Sequence, residues 1–149
     1  MGSEMCIRDR CFRAQSPERL VERQTQTWDP PLTWLHQTHG LALIQTTGIA
    51  AVDQPPRTLQ NFSAWLGAQS SFALMALHDL IGMSGSIVLA RALVEGHMGA
   101  EQAWEASVLD EMWNIELWGE DDEAKAVRTH KQSEFLAAFR FWQLQGDAP

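Results

Sequence analysis

The chain has 149 residues, 45% of them hydrophobic and 20% charged, a composition that suits one globular domain with a buried core. Its formal charge is -8 and its 11 Lys and Arg residues form no run, which argues against a nucleic-acid partner, because a phosphate backbone calls for a basic face. Seven tryptophans and no tyrosine make large apolar anchors plentiful.

The first ten residues, MGSEMCIRDR, have neither helical nor strand periodicity. The string SEMCIRDR resembles a leader formed when sequencing-adaptor read-through is translated onto an open reading frame, so residues 1–10 are expected to be an artefactual or disordered leader on a fragment. Residues 11–149 are then expected to form one mainly α, multi-helix globular domain with at most one or two short strands. Cys6 and Cys11, the only cysteines, have neither disulfide-scaffold nor metal-ligand spacing. No secretory pattern of cationic start, apolar core and small-residue cleavage site is present, so a reducing compartment is expected.

Ser16 as cap, Pro17 at the first helical position and Glu18 in the first turn predict a helix over about 17–28. Asp29-Pro30-Pro31 is expected to stop it and to open a second helix, through Trp34 and Leu35 to Gly40. Residues 41–47, LALIQTT, read as one short extended segment. Pro55 and Pro56 open another helix, carrying Leu59, Phe62, Trp65 and Leu66.

Residues 71–96 are apolar around nearly the whole helical circumference, which predicts burial on all sides. His78, Asp79 and Arg91 would each be expensive in lipid, so a central core helix is expected rather than a membrane span, with a break near Gly82–Gly85. GMSGS at 82–86 lacks the lysine of a phosphate loop, and close packing or a helix break accounts for its small residues. His78 and Asp79 are adjacent, point about 100° apart on a helix and form no preformed catalytic dyad. Gly96 and Gly99 bracket a tight turn.

A helix over 100–118 follows, stopped by Gly119. At about 100° per residue, Trp104, Val108, Ile115 and Trp118 share one direction and define an inward stripe, while Glu105, Asp110 and Glu116 fall off it. Glu111 lies in the middle of that stripe. Three readings are open: a buried acid satisfied by Arg91, His78, Arg128 or a backbone amide, a carboxylate on a partner-binding surface, or a catalytic or metal-binding group. The third has little support, since the chain lacks the paired Glu-x-x-His of di-metal bundles and the His-Glu-x-x-His of zincins. Glu120, Asp121, Asp122 and Glu123 fit the positive end of a last helix, or else an acidic patch for a basic client. Phe135, Ala138, Phe139 and Trp142 make that helix amphipathic.

The series LHDLIGMSGSIVLARALVEG, AEQAWEASVLDEMWNIELWGEDDEA and EFLAAFRF, preceded by SPERLVERQTQTWDPPLTWL, resembles the C-terminal region of the assembly chaperones for the alpha subunit of the F-type ATP synthase. The similarity covers about residues 11–145 and is most specific in the acid-rich lead into Trp118-Gly119-Glu120. The resemblance implies a helical domain that in the family follows a β-rich one, and a holdase that keeps the free alpha subunit from aggregating until the beta subunit takes over. It implies no enzymatic activity, no cofactor, no metal, no membrane insertion and no small-molecule substrate. It points to Glu111, Trp118, Gly119 and Glu120 as partner-binding residues. Gly99 stands where the family usually has a capping Ser or Thr, which weakens one cap. The implied location is the bacterial cytoplasm, or the mitochondrial matrix for a eukaryotic source. Two other readings compete: a small helical enzyme with an acidic site around Glu111, and a structural helical domain without a client.

Overall fold

A computed structural model describes residues 12–13, 17–43, 46–47 and 55–146. In chain order these give β1 (Phe12–Arg13), α1 (Glu18–His39), β2 (Thr46–Thr47), α2 (Pro56–Gly67), α3 (Ser71–Ser84), α4 (Ile87–Val94), α5 (Ala100–Ser107), α6 (Leu109–Trp118) and α7 (Asp122–Gly146). The mainly α expectation holds, and the strands are two residues each, paired in parallel as Phe12 with Thr46 and Arg13 with Thr47. The leader, both cysteines, Ser16 and part of the 41–47 segment lie outside the described residues.

α4 sits at the centre, with every residue from Ile87 to Leu93 buried. One side of it, with Ala90 and Leu93, joins Leu80 of α3, Ala103 and Trp104 of α5, and Phe135 and Ala138 of α7. Ile87 and Val88 meet Leu35, Leu41 and Phe62, while Leu89 meets Trp28, Ala106 and Leu109. Burial therefore takes in all of α4 but its last residue, whereas in α3 Phe72, Leu74 and Met75 stay exposed. The apolar circumference expected to be covered on all sides is covered on one side only in α3.

The break in the 71–96 segment falls at Gly85, whose φ of 69° is left-handed, so Gly82 remains inside the helix. Ser86 restarts the chain by accepting from the Leu89 N–H at 3.1 Å. After α4, the Gly96 N–H donates to Leu93 O at 3.2 Å and the His97 N–H to Ala92 O at 2.9 Å, a Schellman closure with Gly96 at φ 84°.

Two boundaries differ from the sequence reading. Pro30 and Pro31 do not stop α1, which runs through them for 22 residues. Gln24, Trp28, Pro31 and Leu35 are its buried residues, at helical spacing on both sides of the proline pair. That continuous packed stripe outweighs the interrupted backbone bonding, about 3 kcal/mol or more for a proline in a helix interior. The predicted 100–118 helix is split at Val108 (φ -105°, ψ 14°). There the Ser107 hydroxyl donates to Trp104 O at 2.6 Å, competing for a carbonyl that the helical ladder uses.

The split overturns the inward stripe. Past Val108 the buried residues are Leu109 and Trp113, and Glu111 and Trp118 face solvent. The face turned to α1 is instead clamped by polar groups: Gln24 Nε2 donates to Asp110 at 2.8 Å, Arg23 pairs with Glu116 at 3.0 Å, and the Arg23 guanidinium lies 5.0 Å from the Trp113 ring. The reading of Glu111 as a buried, satisfied acid therefore fails. Arg91 serves Glu95 and Asn61, Arg128 serves Glu120, and His78 is an exposed neighbour of Asp79.

Candidate functional site

The candidate residues gather at the corner between α6 and α7. α6 ends at Gly119, whose φ of 80° and ψ of 178° lie where only glycine is comfortable. Its N–H still donates to Ile115 O at 2.8 Å, so the helix is closed before the chain turns away. The turn leaves Leu117 exposed and Trp118 at 85% of its free surface, the most exposed large apolar side chain among the described residues.

Glu120 turns back toward the protein. The Arg128 Nη2 donates to Glu120 Oε1 at 2.9 Å and Nη1 faces Oε2, a two-pronged pair with both side chains largely covered. Asp121 caps α7, accepting from the Ala124 N–H at 2.7 Å, and Asp122 and Glu123 occupy the first turn, where the positive end of the helix dipole stabilises them. The four acids that look alike in sequence thus divide into an ion pair, a cap and two dipole-facing carboxylates.

Glu111 reaches the same corner from the α6 side. It lines an open hollow of about 340 Å³ with Trp104, Asp121, Glu123, Val127 and Lys131. It is exposed and makes no hydrogen bond or ion pair with the described residues. Arg128 also borders the hollow, but its guanidinium is engaged by Glu120. Three carboxylates therefore face one uncommitted type of cation, Lys131, which leaves the hollow acidic. Among the described residues no His, Cys, Asp or Glu cluster is arranged to hold a metal ion. The arrangement suits contact with a partner surface that is apolar at Trp118 and cationic beside it.

Sequence reasoning proposed Glu111, Trp118, Gly119 and Glu120 and did not name Val127 and Lys131, which line the same hollow as Glu111. Both sit on the α7 face that also carries Ala124 and Arg128, and the 124, 127, 128, 131 spacing is the signal that could have found them. It also missed a cluster beneath the core. Arg91, only 4% exposed, is held by Glu95 at 2.8 Å and Asn61 at 2.8 Å and lies 4.6 Å from the Trp65 ring and 5.3 Å from that of Phe62. His39 shares the Glu95 carboxylate at 3.0 Å, and Trp34 stacks on His97. These contacts tie α1, α2 and α4 together and leave Arg91 saturated, so its role is structural.

A curated relative is the mitochondrial Atp12 protein of Schizosaccharomyces pombe, 22% identical over 123 residues, 80% of this chain and 42% of the relative. Among solved structures, Atp12 from Paracoccus denitrificans aligns over 95% of this chain and 61% of its own, with 34% identity and a TM-score of 0.89. A candidate chaperone from Agrobacterium tumefaciens aligns over 95% of this chain and 53% of its own, with 37% identity and a TM-score of 0.85. No family model matches the chain. The chain spans about two fifths of the yeast relative and between half and two thirds of the two bacterial ones.

Proposed function

We propose that this chain, a homologue of the Atp12 proteins, is an assembly chaperone of the F-type ATP synthase that holds the free alpha subunit until the beta subunit takes over the same surface. The observation that carries the reading is the α6–α7 corner, where Trp118 stands out in solvent at the edge of an acidic hollow. A holdase needs a large apolar side chain for contact and acids beside it, which orient the client and keep chaperones from sticking to one another. Trp118 and Glu111 are the contacting residues in this reading. Gly119 and Glu120 are positioning residues, since one supplies the backbone turn and the other is drawn in by Arg128. The protein is not an enzyme in this reading. Glu111 stands on an open hollow and not in an enclosed pocket where a substrate would be desolvated. Its place of work is the bacterial cytoplasm or the mitochondrial matrix, according to source.

The test is co-expression of an isolated alpha subunit with this chain, with its Trp118→Ser variant, and with a chain completed by the remaining portion of the Paracoccus protein. Soluble alpha subunit that co-purifies with the chain, and less of it with Trp118→Ser, is the expected result. Retention by the completed form alone would place the client site across both portions. Retention by neither form would overturn the reading.

A further inference from the structure

α3 and α7 pack side by side and leave an open groove of about 600 Å³ on the protein's outer side, lined in part by Met75, Met83, Phe141, Asp79 and Glu134. Phe72, 64% exposed, sits at one end with its ring centroid 6.4 Å from that of Phe141, and Met75 is 62% exposed beside them. The floor is low where Ala76, Gly82 and Ala137 lie, and a Cβ added at Gly82 would meet nothing within 4 Å. The α3 lining runs from Met75 to Met83, which makes the groove about 12 Å long, a little over two turns of a helix laid along it.

Charge decides what fits. Among the described residues Asp79 and Glu134 are the only carboxylates on the lining and no Lys or Arg is on it; the imidazole of His78, also on the lining, lies beside Asp79, and that of His130 lies 3.0 Å from Glu134. A second copy of this chain, itself at -8 with the same acidic rim, would meet like charge, and an anionic lipid surface would be repelled in the same way. We propose that the α3–α7 groove takes an amphipathic helix of a partner protein that carries Lys or Arg beside its apolar face. Its apolar residues at i, i+3, i+4 and i+7 cover Met75, Met83 and Phe141, and its cations meet Asp79 and Glu134. That the helix belongs to an ATP synthase subunit rests on the chaperone reading above. That the groove binds such a helix does not.

The probe is a fluorescein-labelled amphipathic helical peptide with a leucine face flanked by lysines, set against a peptide with the same leucines flanked by glutamates. Anisotropy is read with the unsubstituted chain, with Gly82→Ala, with Gly82→Phe and with the Asp79→Lys/Glu134→Lys double variant. Thermal melts by circular dichroism check that each is folded. Both Gly82 substitutions favour the helix over glycine, but only phenylalanine reaches across the open floor. The lysine peptide is expected to bind about tenfold tighter than the glutamate peptide, two exposed ion pairs being of that order. Gly82→Ala retains this affinity, Gly82→Phe loses about tenfold or more, and the double variant reverses the preference between the peptides. Equal binding of the two peptides overturns the proposal, as does unchanged or tighter binding to Gly82→Phe, which would place the peptide elsewhere, such as at Trp118. Sedimentation showing a dimer that Gly82→Phe converts to monomer would give the groove to a second copy and overturn it as well. No alpha subunit enters this experiment, so its failure leaves the co-expression result standing on its own.

Discussion

The same substitution, Gly→Ala, should move stability in opposite directions at two positions of this chain. At both Gly82 and Gly119 an added Cβ meets nothing within 4 Å. Packing is therefore silent at both, and only the backbone differs. Gly82 lies within α3, where alanine is favoured over glycine by roughly 0.5–1 kcal/mol. Gly119 holds φ 80° and ψ 178°, a conformation that is strained by about 1–3 kcal/mol for an L side chain. Alanine's smaller unfolded-state entropy returns about 0.4–1 kcal/mol of that. The two variants should therefore differ by about 2 kcal/mol, with Gly82→Ala above the unsubstituted chain and Gly119→Ala below it. Urea unfolding followed by far-ultraviolet circular dichroism reads this directly. At a slope of about 1–3 kcal/mol per molar urea, the midpoints separate by roughly 1 M. A Gly119→Ala chain as stable as the unsubstituted one would refute the backbone reasoning, and with it the claim that Gly119 sets where Trp118 stands.

Three further outcomes are expected. Arg91→Met should lower stability by about 2–3 kcal/mol in urea, through loss of the charged bonds to Glu95 and Asn61 and of the stacking on Trp65; a loss under about 1 kcal/mol would contradict a structural role. Arg128→Met should lose roughly 2–3 kcal/mol by stranding the covered Glu120 carboxylate, and adding Glu120→Gln should recover part of the loss, whereas a double variant no better than the single would show that the charge was not the cause. Trp118→Ser and Glu111→Gln should each change stability by no more than about 0.5 kcal/mol, as both side chains are exposed. Both should nonetheless reduce alpha-subunit retention, and undiminished retention in both would remove the corner from the client site.

The helical character and the amphipathic last helix were legible because Phe135 and Ala138 are local, periodic signals. Gly85 could be located to within a few residues because a left-handed turn has a compositional mark. Pro30 and Pro31 misled because their effect is local while the stripe that overrides it is tertiary, formed against α4 and its neighbours. The stripe through Glu111 misled for a smaller reason. A single serine hydroxyl bonding back to Trp104 O interrupts the helix, and extrapolating 100° per residue across that interruption put Glu111 and Trp118 on the buried side, where Leu109 and Trp113 stand instead. Trp118 was singled out as part of a motif, but its direction depended on that break and on Gly119. The α3–α7 groove was hidden because uniform apolarity in α3 does not say which side neighbours leave bare.

α4 has only eight residues, all but the last of them buried, and one of those is an arginine. A helix of that length is far below what persists alone in water. Its surroundings come from α1, α2, α3, α5 and α7, drawn from both ends of the described chain. No opening that frees one neighbour can expose α4 amides without dismantling most of the molecule. The amides of Ala92 and Leu93, whose acceptors lie within this helix, should then exchange with solvent only when the whole chain unfolds. Their exchange rates, measured in native buffer, would serve as an internal gauge of global stability with no denaturant present.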